Sequence, residues 1–189
     1  MDQPLERFHP ILMHSLLTSA RRFDPGLYDS LCRRFNLDAD RILGLFKEVE
    51  DVGSGQIGGV LEVLRGHTAY HEMVFLAGRN SLLGWSEANK FAMNHKGGAE
   101  RFEKLARTFL PDFLGRATFH QMQRGRVIYI EVRNSIFARG VQHANPVCGF
   151  YAGFLSELGV GCTGQNCAVS EVRCCAAEHA PSCMFAVPL

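Results

Sequence analysis

The sequence lacks several features that would place it in a large class at once. Its 189 residues include one tryptophan, no apolar stretch that approaches 18 residues and no run of five like charges. Twenty lysines and arginines stand against nineteen aspartates and glutamates, a net charge of +1. We therefore predict no membrane span and no nucleic-acid partner, and we expect partners among small apolar molecules or other proteins.

A secretory signal is also lacking, because Asp2 and Glu6 interrupt the start, where a basic and then an apolar segment would stand. The expected compartment is the cytoplasm. The chain has seven cysteines, an odd number, and no C-x-x-C pair. In a reducing compartment, clustered thiols bind metal more often than they form disulfides, and buried thiols that act as small hydrophobic residues are the alternative.

The first fifty residues show apolar residues at helical spacing and predict three short helices, the last around residues 42–46. Asp24 precedes a proline and is the expected N-cap of the second helix. The glycine-rich stretch at residues 52–59 is the strongest change in composition, and we interpret it as a flexible hinge. The predicted division is a helical N-terminal extension over residues 1–52 and a main domain over residues 53–189.

The main domain begins with helical spacing up to about Leu110, and we expect breaks at Gly78 and Gly84. The period then changes to two in residues 127–133, which places Ile128, Ile130 and Val132 on one face of a strand. Further strands are predicted at residues 118–123, 135–139, 167–176 and 183–187, with a helix from Asn145 to Gly159 between them. The predicted fold class is α+β, with N-terminal helices followed by an antiparallel sheet that contains an inserted helix.

Six of the seven cysteines fall between residues 148 and 183, and Glu171 lies close before the doublet Cys174-Cys175. Thiolates are soft ligands that suit Zn²⁺, and a carboxylate can complete a four-ligand site. The composition of this segment therefore predicts a metal site.

Three segments of this region resemble the 4-vinyl reductase domain family: residues 148–155 (CGFYAGFL), 171–174 (EVRC) and 182–185 (SCMF). The family includes a protein of bacteriochlorophyll synthesis and the sensor domains of phenol- and xylene-responsive activators. The resemblance covers roughly residues 76–189. It implies a fold like that of NO-signalling and Golgi-transport ligand-binding domains, with an apolar cavity between a helical layer and a sheet.

By this resemblance the expected cofactor is Zn²⁺, held by Cys148, Glu171, Cys174 and Cys183. The doublet leaves an alternative, since in a regular strand Cys175 shares a face with Glu171, whereas the E-x-x-C motif of the family selects Cys174. The loop over residues 178–181 differs from the family pattern and has one extra residue. Two further thiols, Cys162 and Cys167, have no counterpart; they are loop thiols without a role, a redox pair or substitute ligands.

The resemblance also implies a small hydrophobic or aromatic ligand, bound between the predicted helix at residues 99–110 and the strand at residues 127–132. The metal site is expected to lie apart from this ligand. The candidate ligand-binding residues are aromatic or apolar: Trp85, Phe102, Phe109, Ile128, Tyr129, Ile130 and Tyr151.

The predicted function is a stand-alone, zinc-stabilised ligand-binding domain that acts as a sensor or carrier, with a homodimer or another protein as its partner. The alternative is an enzyme of the bacteriochlorophyll pathway, a vinyl reductase-type oxidoreductase or a carrier of a chlorin intermediate. A reductase needs a hydride source, and residues 53–58 match G-x-G-x-x-G, but no buried strand precedes them as a nucleotide site requires. The sequence leaves open whether the protein is an enzyme.

Overall fold

The computed structural model describes residues 7–37, 52–114, 117–178 and 180–189. The third helix predicted near residue 42 lies outside these ranges. The described α-helices are α1 (Pro10–Phe23), α2 (Pro25–Phe35), α3 (Ser54–Arg65), α4 (Tyr70–Ala88), α5 (Gly98–Phe109), α6 (Gly149–Thr163) and α7 (Cys175–Glu178), and a 3-10 helix spans Leu110–Phe113. The strands are β1 (Arg7–Phe8), β2 (Val52–Gly53), β3 (Thr118–Arg124), β4 (Val127–Arg133), β5 (Ser170–Arg173) and β6 (Cys183–Pro188).

The N-terminal helices pack into the same hydrophobic core as the rest of the described chain. The Asp24 carboxylate accepts a hydrogen bond from the Leu27 N–H at 3.0 Å, so the predicted N-cap of α2 is confirmed. Helix α1 packs along α4 and buries Leu12 and Leu16 completely. The division at residue 52 stays a prediction.

The glycine-rich stretch does not form the expected hinge. Strand β2 pairs with β1 and places Val52 opposite Phe8, and α3 starts directly at Ser54. The apolar residues of this helix, among them Ile57 and Val60, are buried. Their burial stabilises a helix that the glycines alone would disfavour.

Helix α4 runs without the breaks expected at Gly78 and Gly84. A side chain on Gly78 would clash with the carbonyl oxygen of Phe150 in α6, and one on Gly153 would clash with the carbonyl oxygen of Phe75 in α4. The two glycines at the contact, Gly78 and Gly153, therefore let the backbones of α4 and α6 approach each other closely. The sequence signal of Gly78 was interpreted as helix breaking, whereas its role is helix packing.

Strands β3, β4, β6 and β5 form an antiparallel sheet in that order, and the predicted β3–β4 hairpin is confirmed, with Gly125 at φ 62° in its turn. The expected strand at residues 135–139 is wrong, because this segment forms consecutive turns. The inserted helix begins at Gly149, four residues after the expected N-cap Asn145. Before it, Val147 is fixed by a hydrogen bond from the Tyr70 hydroxyl to its carbonyl oxygen at 2.9 Å.

The two faces of the sheet differ in what covers them. One face, here called the inner face, carries the buried side chains of β4 and β6, and helix α6 packs against β5 and β6. In the register of the sheet, Ile130 pairs with Phe185 of β6 and with Gln121 of β3, so the three side chains share this face. The outer face carries half-buried and exposed residues, with Tyr129 and Glu131 among them.

Candidate metal centre and ligand face

Four side chains from four places in the chain converge at one end of the inner face. Cys148 is the N-cap of α6, Glu171 lies in β5, Cys174 follows that strand and Cys183 begins β6. One ligand atom of each residue lies within 4.8 Å of those of the other three. The set that the sequence resemblance implies is thus brought together in the structure.

The thiols of this cluster are shielded from solvent and close to one another. Cys148, Cys174 and Cys183 are each 0% exposed. The Sγ atoms of Cys148 and Cys183 are 3.3 Å apart. A tetrahedral zinc ion with Zn–S bonds of about 2.3 Å would hold its sulfur ligands about 3.8 Å apart, so the cluster has the size of such a site.

Glu171 supplies a carboxylate whose two oxygens have different surroundings. Oε2 accepts a hydrogen bond from the Cys148 N–H at 3.1 Å. Oε1 is buried and has no hydrogen-bond partner within the described ranges. A buried carboxylate oxygen without a partner is costly, so this atom favours a bound cation.

The acid–base properties of the cluster also favour a cation. Burial raises the pKa of the Cys148 thiol, and burial together with the neighbouring Cys174 raises the pKa of Glu171 to about 9. The thiols of Cys148 and Cys183 donate to Cys174 and hold its pKa well below the ordinary value. Without a counter-charge the cluster therefore keeps its negative charge on one sulfur, whereas a divalent cation would stabilise the deprotonated form of each ligand.

Groups around the cluster orient its members. The Glu178 carboxylate accepts from the Cys174 N–H at 3.2 Å, and the Ser135 hydroxyl lies 3.4 Å from the Cys148 sulfur. The backbone N–H of Cys175 donates to the Cys183 sulfur at 3.4 Å. Such outer contacts position metal ligands and stabilise thiolate charge. Sequence reasoning missed Ser135 and Glu178, because nothing in their local spacing marks them.

A β-bulge explains why the ligand atom comes from Cys174 and not from its neighbour. Glu171 pairs with Phe185 of β6, but Arg173 pairs with Met184, so the register shifts between the two β5 residues. Strand β5 then ends, and α7 begins at Cys175. The alternation that favoured Cys175 holds only for a regular strand, and the bulge removes that condition.

The other two C-terminal thiols lie outside the four-residue cluster. Cys162, near the end of α6, is buried, and Cys167 is 2% exposed. The thiol of Cys167 donates to the carbonyl oxygen of Pro188 at 3.4 Å and lies against Gly159. These contacts are those of packed side chains.

The candidate ligand residues fall into separate groups. Trp85 and Phe109 stack with ring centroids 4.2 Å apart, and the indole N–H of Trp85 donates to Asp112 at 3.0 Å. Phe102 is fully buried on the same face of α5. This helix packs against α6 and the 3-10 helix.

Tyr151 of α6 belongs to the group on the inner face. Its ring lies 5.8 Å from that of Phe185, which pairs with Ile130 in the sheet. Ile128 and Ile130 are buried on this face, whereas Tyr129 lies on the outer face. The structure therefore brings together three of the predicted ligand residues and places Tyr129 apart from them.

Gln121 is a polar residue of the inner face that sequence reasoning missed. Both its amide nitrogen and its amide oxygen are buried without a hydrogen-bond partner in the described part of the chain. Leaving such an amide unpaired costs on the order of 1–3 kcal/mol per group. Its position opposite Ile130 could have been found from the hairpin register, but its lack of partners could not.

The comparisons with known proteins agree with this architecture. Residues 128–188 match the sequence model of the 4-vinyl reductase domain, so the resemblance to this family is confirmed for that part of the chain. These residues contain all four members of the metal-binding cluster. A search of curated proteins gives no match.

Solved structures of similar fold cover most of the chain. An H-NOX protein from S. oneidensis in the Fe(II)NO state has a TM-score of 0.59 at 12% identity over 96% of this chain and 99% of that one. An H-NOX mutant from K. algicida has a TM-score of 0.60 at 11% identity, with 96% of each chain covered. The phenol-responsive sensory domain of the transcription activator PoxR, solved with phenol, has a TM-score of 0.53 at 16% identity over 74% and 77% of the two chains.

These similarities confirm the predicted fold class, an α+β fold of the NO-signalling type. At identities of 11–16% they establish the fold and nothing about the ligand. No helix within the described ranges has the length and apolar character needed to span a membrane.

Proposed function

We propose that the protein is a zinc-stabilised domain of the 4-vinyl reductase type that binds a small hydrophobic or aromatic molecule as a sensor or carrier. The observation that carries the proposal is the convergence of Cys148, Glu171, Cys174 and Cys183, whose ligand atoms all lie within 4.8 Å of one another. Three thiolates and one carboxylate form a closed donor set for Zn²⁺. When bound, the ion would supply a structural cross-link between the start of α6 and the two C-terminal strands.

The proposed ligand lies against the inner face of the sheet, away from the metal. Its apolar part contacts Ile128, Ile130 and Tyr151, and the aromatic group of Trp85, Phe102 and Phe109 supports the helical side. A polar group of the ligand pairs with the Gln121 amide, which offers both a donor and an acceptor. A phenolic hydroxyl has this chemistry, and PoxR is the fold relative that was solved with phenol.

Native mass spectrometry of the protein purified from its own host tests the proposal as a whole. The expected spectrum shows one zinc per chain and, in part of the population, an organic molecule of low mass. Folded protein without metal would contradict the zinc site. Zinc-loaded protein that binds no apolar molecule would contradict the sensor or carrier function alone.

Filling the inner face tests where the ligand binds. Ile128→Trp should abolish displacement of an apolar fluorophore by small aromatic compounds, because Ile128 is fully buried on this face. Tyr129→Trp is the matched control on the outer face of the same strand and should retain binding. Zinc content and the unfolding transition, measured on both variants, show whether each is folded; a folded Ile128→Trp variant with normal binding would contradict the assignment.

Gln121→Leu tests the polar contact. The variant should bind phenol roughly three- to tenfold more weakly and toluene unchanged, since one neutral hydrogen bond contributes about 0.5–1.5 kcal/mol. Its unfolding temperature should rise, because an unpaired buried amide is replaced by an apolar side chain of similar size. If phenol and toluene lose affinity equally, the amide does not contact the ligand hydroxyl.

The free state of all seven cysteines fits a reducing compartment, and we propose the cytoplasm. A homodimer or a partner protein would be needed to pass on a signal, and this stays a prediction. The vinyl reductase alternative also stays a prediction. A four-ligand site leaves a zinc ion no open position for substrate, so the enzyme hypothesis would have to locate its chemistry elsewhere.

A further inference from the structure

Cys175 lies beside the metal cluster without belonging to its four-residue set. Its Sγ is 3.3 Å from the Sγ of Cys183. Cys175 is partly exposed, whereas Cys148, Cys174 and Cys183 are fully buried. A small molecule from solvent therefore meets the sulfur of Cys175 before it meets any of the ligand sulfurs.

A surface groove of about 440 Å³ leads to this thiol. Its walls come from the turns at residues 134–142 and from the loop before β6, with Cys175, Ala180 and Pro181 on that side. Ser135 belongs to the same wall, and its hydroxyl lies 3.4 Å from the Cys148 sulfur. Polar and apolar groups both line the groove, so a small polar oxidant can enter it.

We propose that Cys175 and Cys183 are a redox-sensitive pair, oxidised to a disulfide by a hydroperoxide such as hydrogen peroxide. This inference rests on the proposed zinc site, because its consequence is the loss of one metal ligand. The sulfur atoms need to approach only from 3.3 Å to about 2.05 Å. Thiol oxidation follows exposure, and a second thiol next to an exposed one resolves the first product.

The reaction balances with hydrogen peroxide as the only co-reactant. The Cys175 sulfur attacks one peroxide oxygen, the O–O bond breaks, and Cys175 becomes a sulfenic acid while one water leaves. The Cys183 sulfur then attacks the sulfenic sulfur, the S–O bond breaks, and the disulfide forms with release of a second water. If Cys183 reacts as the metal-bound thiolate, the second leaving group is hydroxide, and the ion loses its bond to Cys183.

The pair explains a feature of the sequence that the metal site does not use. The four-ligand cluster requires only one cysteine of the doublet, and Cys174 supplies that ligand. Cys175 then has its thiol against a ligand sulfur and its backbone N–H donating to the same atom. The second cysteine thus couples the oxidation state of an accessible thiol to the stability of a buried metal site.

The test treats the full-length, zinc-loaded protein with hydrogen peroxide and follows zinc release with a chromogenic chelator. Wild-type protein should release its zinc and yield a Cys175–Cys183 disulfide in peptide mapping, and a dithiol reductant with added zinc should reverse both changes. Cys175→Ser should release zinc at roughly a tenth of the wild-type rate or less, because the exposed thiol is gone. Cys162→Ser, which removes a buried thiol outside the cluster, is the matched control and should behave as wild type.

Equal zinc release from wild type and Cys175→Ser would overturn the proposal, as would a disulfide that joins other cysteines. Cys175→Ala provides a second variant should the serine perturb the cluster. Protein that contains no zinc before treatment contradicts the proposed metal site instead. Peptide mapping of such metal-free protein still tests the pair, and absence of the Cys175–Cys183 disulfide after oxidation would contradict it.

Discussion

Glu131 and Glu171 lie on opposite faces of the same sheet and differ in what surrounds their carboxylates. On the outer face, Glu131 accepts from the Ser182 hydroxyl and pairs with Arg173 at 3.1 Å and Arg133 at 3.3 Å. On the inner face, Glu171 has one backbone N–H donor, and its second oxygen has no partner within the described ranges.

The pKa values of the two carboxyls move in opposite directions as a result. The Ser182 hydrogen bond, with the two arginines, holds the pKa of Glu131 below its ordinary value, whereas burial raises the pKa of Glu171. The protein itself supplies positive charge to Glu131. Glu171 lies beside three thiols and lacks such a partner in the described part of the chain, which is the arrangement of a metal ligand and not of a structural ion pair.

The bulge in β5 creates this difference within three residues of sequence. A regular strand would place Glu171 and Arg173 on the same face, and the arginine would then lie near the buried carboxylate. The register shift turns Arg173 to the outer face, where it pairs with Glu131 and with Ser182. The charge of this arginine is thereby directed away from the cluster on the inner face.

The largest expected effect comes from removing a ligand thiol on the inner face. Cys148→Ser, Cys174→Ser and Cys183→Ser should each lose zinc and solubility, because structural zinc contributes on the order of 10 kcal/mol, comparable to the whole stability of a domain. Metal analysis and thermal unfolding check this. The controls Cys32→Ser and Cys162→Ser should keep the metal.

The doublet sharpens this test. Cys174→Ser should be severe, and Cys175→Ser should keep its zinc under reducing conditions, since the ligand atom in the cluster belongs to Cys174. The reverse order would mean that strand alternation, and not the E-x-x-C spacing, selects the ligand.

A smaller but more specific effect is expected when the two carboxylates are neutralised one at a time. Glu171→Gln should lower zinc affinity by more than the roughly 10- to 100-fold that changes in outer-shell partners cause, because it removes a charged ligand. Glu131→Gln should leave zinc affinity within a fewfold of wild type. Competition with a zinc chelator of known affinity measures both, and equal losses in the two variants would remove the distinction between the faces.

The smallest effect concerns stability and its pH dependence on the outer face. Glu131→Gln should cost about 1 kcal/mol in the free energy of unfolding at neutral pH, as expected for a partly exposed, hydrogen-bonded ion pair. Because the folded-state pKa of Glu131 is lowered, its contribution is present above the ordinary value of 4.5 and is lost as pH falls through the lowered pKa. Urea unfolding at several pH values should show the two proteins converging in acid; a difference that persists there would contradict the assignment.

The comparison also shows which parts of the molecule were predictable from sequence. The β3–β4 hairpin and the N-cap Asp24 follow from local spacing and turn chemistry, and both are confirmed. The four-residue cluster followed from a resemblance that preserves ligand spacing. Local pattern failed at Gly78, where the glycine serves contact with a helix far away in the chain, and in β5, where one bulge reverses the alternation.

The outer-face network and the unpaired Gln121 amide had no sequence signal, because each depends on register between strands that are distant in the chain. Arg173 meets Glu131 only when β6 has been inserted between their strands. Such contacts are tertiary facts, and composition and periodicity do not encode them.

X-ray absorption at the zinc edge of the purified protein tests the central claim most directly. The account predicts a first shell of three sulfur atoms at about 2.3 Å and one oxygen at about 2.0 Å, from Cys148, Cys174, Cys183 and Glu171. A folded protein without a zinc signal, or a shell of four sulfur atoms with no oxygen, would contradict it.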